Sequence, residues 1–64
     1  MTQKTVKITV ELTIEQAQAL AQFVKRVGWS EIRQNAVDDD EAHEIQIALM
    51  LVQSSLAEVG YAPR

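Results

Sequence analysis

Between Lys4 and Leu12 every second residue is apolar: Val6, Ile8, Val10 and Leu12 alternate with Thr5, Lys7, Thr9 and Glu11. Period two, with β-branched residues on both sides, predicts a half-buried strand over 4–12. The period then changes. Ala17, Leu20, Phe23, Val24 and Val27 recur at helical spacing, with Glu15, Gln18, Gln22, Lys25 and Arg26 on the opposite side. That pattern predicts an amphipathic helix over 14–27. Thr13 and Gln16 stand at capping-box spacing at its start. Gly28 is expected to take the left-handed conformation that ends the helix, setting Trp29 against Val24 in a Schellman arrangement.

Residues 30–37 read as a short helix over 30–36, capped by Ser30 and carrying Ile32 and Ala36, or as an ordered connection. Asp38 and Glu41 repeat the capping-box spacing and open a final helix over 39–59. Gly60 stops it, with Tyr61 folding back on Leu56. Ala62-Pro63-Arg64 cannot extend it and is expected at the surface.

The final helix carries two apolar faces. Ile45, Leu49, Val52, Leu56 and Val59 form a seam at 4-3-4-3 spacing, suited to packing on the first helix and the strand. Ile47, Met50 and Leu51 project from the other side, and one short chain has too few elements to cover both. A lone strand likewise leaves its backbone groups without ladder partners. Both needs are met if two chains associate. The expected fold is therefore α+β, a single domain over 1–64 in the order β-α-α-α. Its strands pair across a homodimer, with Val6, Ile8, Val10, Ile47, Met50 and Leu51 in or near the interface. The alternative is a monomer whose strand lies on its own helices and whose second apolar patch binds something else.

Composition narrows the function. With 64 residues, 47% hydrophobic and 23% charged, the chain suits one small folded domain. It has no cysteine, which excludes disulfides, thiolate metal sites and a cysteine nucleophile, and fits a reducing, cytoplasmic setting. No apolar run approaches a membrane span, and no signal-peptide core follows Met1-Thr2-Gln3-Lys4. Net charge is −3, unevenly spread. Residues 1–33 hold five bases against three acids, a net of +2. Residues 34–64 hold Arg64 against Asp38, Asp39, Asp40, Glu41, Glu44 and Glu58, a net of −5. That acidic half disfavours a whole-protein polyanion binder.

Candidate chemistry is sparse. Asp39 and His43, and Asp40 and Glu44, stand four apart and could each offer two metal ligands. The calcium-loop spacing is absent and there is no second histidine, so a solvated, dipole-matched helix start is the simpler account. Ser30, Ser54 and Ser55 lack a nucleophile-elbow context, and no glycine-rich phosphate loop occurs. No enzyme, cofactor, metal site or catalytic residue is expected. Trp29, Tyr61 and Phe23 are read as packing residues, with Trp29 the one suited to partial exposure.

Two resemblances add to this. The stretch Thr5-Val6-Lys7-Ile8-Thr9-Val10, followed by Lys25-Arg26-Val27-Gly28-Trp29-Ser30-Glu31, resembles ribbon-helix-helix DNA-binding proteins. That likeness covers about half the chain. It implies a dimeric transcriptional regulator with Thr5, Lys7 and Thr9 facing bases and the backbone at Ser30 and Glu31 meeting a phosphate. Ala19-Leu20-Ala21-Gln22-Phe23-Val24-Lys25-Arg26-Val27-Gly28-Trp29-Ser30, Asn35-Ala36-Val37-Asp38, Asp40-Glu41-Ala42 and Gly60-Tyr61-Ala62-Pro63-Arg64 resemble a family of short uncharacterised phage and mobile-element proteins. Small acidic proteins of that origin are commonly inhibitors of host defence, anti-CRISPR proteins among them. The leading expectation is a non-enzymatic inhibitor acting in the bacterial cytoplasm. It would offer Asp38, Asp39, Asp40, Glu41 and Glu44 to a host protein complex whose basic groove is meant for nucleic acid.

Overall fold

The computed structural model describes residues 4–61, and these contain three helices and no strand. The first, α1 (Ile14–Arg26), opens on the expected capping box. The Gln16 amide donates to Thr13 Oγ1 at 3.1 Å, and the Thr13 amide donates to Gln16 Oε1 at 3.0 Å. Two backbone donors that the first turn leaves orphaned are thus satisfied by neighbours in sequence.

The end of α1 departs from expectation. Val27 turns extended at φ −64°, ψ 129°, and Gly28 follows at φ −103°. Gly28 is therefore not left-handed. It serves instead as the N-cap of α2 (Trp29–Gln34), which starts one residue before the expected 30–36 and takes Trp29 as its first residue. Trp29 is thereby drawn into the second helix, so no Schellman arrangement forms there. Ser30, expected as the cap, lies inside the helix.

Asp38 caps α3 (Asp39–Glu58) by accepting from the Glu41 amide at 2.8 Å. The reciprocal half of the box is displaced by one residue, since Glu41 Oε1 accepts from the Val37 amide at 3.1 Å. At the far end Gly60 has φ 100°. The Gly60 amide reaches the Ala57 carbonyl at 3.0 Å and the Tyr61 amide the Leu56 carbonyl at 2.8 Å. These are the two bonds of a Schellman motif, and they bring Tyr61 against the Ala17–Ala21–Leu56 core. The tail Ala62-Pro63-Arg64 and the leading residues 1–3 lie outside the described residues.

One face of α3 serves both other helices. Its C-terminal half takes α1, where Ala17, Ala21 and Leu56 are buried with Leu20 and Val52 packed alongside. Its N-terminal half takes α2, where Ile32 is buried and Ala42 is wholly enclosed at 0% exposure. Small residues on the facing helices, Ala17, Ala21 and Ala42, let the backbones approach closely. The body measures 33 × 29 × 15 Å. Both α1 and α2 pack on that one face of α3, and its opposite face, with Ile47, Met50 and Leu51, stays exposed.

The N-terminal segment corrects the expected fold class. Residues 4–13 have no regular secondary structure, and the chain is all-helical rather than α+β. The described residues hold no strand to pair across a dimer. The alternation is present, but Val6, Ile8 and Val10 stand 82%, 77% and 70% exposed. An extended segment acquires ladder bonds only from another segment, and nothing in these three helices offers one. The packing stripes are also narrower than the patterns imply. In α1, Ala21 is buried while Phe23 is mostly exposed, and Val59, the C-cap of α3, is exposed.

Candidate functional site

The acidic residues around the start of α3 divide into two groups by what their side chains do. Asp38 is occupied as the cap, and Glu41 holds the Val37 amide. Asp39 Oδ1 accepts from Arg33 Nε at 2.7 Å, while Arg33 Nη1 donates to the Ala36 carbonyl at 3.2 Å. Arg33 thus ties the α2–α3 corner, although both partners are solvated and the ion pair contributes at most about 1 kcal/mol. Asp40 and Glu44 are exposed and their side chains make no hydrogen bond or ion pair among the described residues.

His43 does not join Asp39 as a ligand pair. Its Nδ1 lies 2.8 Å from the Asp39 carbonyl oxygen, so Nδ1 carries the proton and donates. The ring sits against Trp29 with centroids 4.8 Å apart and planes tilted by 44°. This aromatic pair bridges α2 and α3. Sequence spacing could not reveal it, because it joins residues fourteen apart across a turn. Among the described residues no three His, Asp or Glu side chains converge as a metal site would need.

On α3 the two unoccupied carboxylates lie in line with the apolar flank. Asp40, His43 and Glu44, Ile47, Met50 and Leu51, Ser54 and Glu58 follow one another at three- and four-residue steps, which places them on one side of the helix. All are exposed. The buried face, with Ala42, Ile45, Leu49, Val52 and Leu56, lies directly opposite. Ile47, Met50 and Leu51 therefore form one outward stripe, while Val6, Ile8 and Val10 belong to a separate part of the chain. Thr5, Lys7 and Thr9 are exposed on the strandless segment, so the ribbon that would carry them into a DNA groove is not formed here.

A second feature escaped the sequence reading. Where the three helices meet, an open groove of about 460 Å³ is lined by Phe23 and Arg26 of α1 with its C-cap Val27, Glu31 and Ile32 of α2 with its C-cap Asn35, and Ile45 and Leu49 of α3. Phe23 and Val27 were assigned to the buried stripe. They line the groove together with Ile45 and Leu49 of α3, away from the Ala17–Ala21–Leu56 core. The sequence pattern marks them as apolar but cannot say which surface they face.

Residues 1–64 match a family of unknown function, DUF7706. The chain belongs to that family. No curated protein and no solved structure matches it, so membership in DUF7706 brings no activity with it. No helix of the described residues is long and apolar enough to cross a membrane.

Proposed function

We propose that this DUF7706 chain is a non-enzymatic binding protein that occupies a basic surface of a partner protein with the outward side of α3. The observation that carries the reading is the arrangement of Asp40 and Glu44. Both are exposed, neither side chain makes a hydrogen bond or ion pair among the described residues, and both lead directly into the Ile47–Met50–Leu51 stripe. Carboxylates at the start of the stripe steer encounter with a Lys/Arg-lined groove, and desolvation of the apolar centre supplies the lasting attraction. A groove of that kind is built for nucleic acid, so the protein acts as an inhibitor that competes with it. This agrees with the resemblance to small phage and mobile-element proteins, whose setting is the bacterial cytoplasm.

The acids committed to caps make poor probes, because reversing them unravels the helix start. The informative variant is Asp40→Lys with Glu44→Lys. Affinity capture from a bacterial lysate by the unaltered chain should retain a partner that competing nucleic acid releases. The double variant, with unchanged helicity by circular dichroism, should lose it. Retention undiminished by the double reversal, or indifferent to nucleic acid, overturns the reading.

A further inference from the structure

We propose that the groove at the α1–α2–α3 junction receives the N-terminal segment of a second copy of this chain, so that two copies exchange arms. The contact is a set of side chains in a groove and forms no sheet. It is independent of the α3 surface described above. Residues 4–12 carry Val6, Ile8 and Val10 on one side, all exposed to solvent. The groove presents Phe23, Val27, Ile32, Ile45 and Leu49 as its apolar lining. Both are apolar; in the groove Phe23 stands exposed, Val27, Ile45 and Leu49 are half-buried and Ile32 forms the buried floor. Lys4 and Lys7 lie along the outer part of the described arm and Glu11 near Thr13, while Glu31 and Arg26 line the groove, so both surfaces carry charges of each sign.

The arm is long enough. Nine extended residues span about 30 Å, whereas Phe23 lies ten helical residues from Thr13, about 15 Å. Its own groove is thus within reach, and the geometry at Thr13 is what directs the arm elsewhere. To fold back along α1 the chain must reverse direction just before the helix. Residues 4–13 contain no Gly, Pro, Asn or Asp to form that turn. The capping box also holds Thr13 extended at φ −66°, ψ 164°. An arm that leaves its own body and carries an apolar side finds the matching groove on a second copy, and reciprocal exchange closes the pair about a two-fold axis.

The chain has no cysteine, so introduced thiols report without background. A mixture of the Ile8→Cys chain and the Phe23→Cys chain, oxidised gently, should give a disulfide-linked heterodimer. Thr9→Cys, on the other side of the arm, should give far less. In the unmodified chain sedimentation should show twice the 7.2 kDa mass. The triple variant Val6→Asp, Ile8→Asp, Val10→Asp should raise the dimer dissociation constant by at least about 100-fold. Its helicity should not change, because those side chains are exposed in the single chain. Three results would each overturn the proposal: a disulfide within one chain in the Ile8→Cys/Phe23→Cys double variant, cross-linking only between Ile8→Cys arms, or a 7.2 kDa particle at every concentration tested.

Discussion

Two segments of this chain carry equally regular apolar patterns and end in opposite states. Residues 14–26 repeat at helical spacing and form α1; residues 4–12 repeat at strand spacing and form nothing regular. The difference lies in where the backbone hydrogen bonds close. A helix closes its own, four residues back, so a pattern plus a cap is nearly sufficient. A strand must find its partners elsewhere, and these three helices have none to give. An apolar pattern therefore states what a segment could bury, while the availability of a second surface decides whether it does.

The sharpest test of that contrast is to delete similar aliphatic groups from the two regions. Leu56→Ala, in the core against Ala17 and Ala21, should cost about 2–5 kcal/mol. A domain of this size holds only about 3–5 kcal/mol in all, so circular dichroism should find the variant largely unfolded. Ala42→Asp should have an equal or greater effect, since it places a charge where exposure is 0%. If either variant melts like the unaltered protein, α3 does not organise the fold.

Next in size are the helix ends. Thr13→Ala and Asp38→Ala each remove a side-chain acceptor that satisfies a backbone amide, and each should cost about 1 kcal/mol in chemical denaturation. Gly60→Ala meets no steric neighbour but must keep φ 100°, which gives a loss of about 1 kcal/mol. Gly28→Ala has no such backbone demand; there the new methyl lies 3.1 Å from a Glu31 carboxylate oxygen on a flexible side chain. A loss at Gly28 matching that at Gly60 would mean that the α1–α2 corner is built otherwise than described.

The smallest effect should come from the arm. Val6→Ser, measured at dilution where the chain is a monomer, should change stability by less than about 0.5 kcal/mol. A loss comparable to Leu56→Ala would show that the arm packs on its own body, and the contrast between the two segments would fail.

Much of the local structure was legible in residue order. Thr13 with Gln16, Asp38 with Glu41, and Gly60 with Tyr61 each act within a few residues of one another, so spacing was enough to place three of the helix ends. The fourth boundary, at Gly28, was misread because glycine serves equally well as a stop or as the cap of a following helix. Only the placement of Trp29 in α2 distinguishes the two. Of the candidate site, the acidic run was visible as composition. Its division into occupied and unoccupied carboxylates was not, since Arg33 reaches Asp39 across a turn and Glu41 reaches one residue beyond the expected amide.

The order of residues by itself determined the two longer helices, the caps at Thr13 and Asp38 and two apolar sides on the last helix, because helical hydrogen bonds and caps connect near neighbours. Tertiary structure decided which side of α3 is covered, that Ala42 rather than a larger residue is the most enclosed, that Phe23 and Val27 line a groove, and that residues 4–12 stay unpaired. Those outcomes depend on surfaces brought together from distant parts of the chain, and a one-dimensional pattern holds no record of which surface arrives.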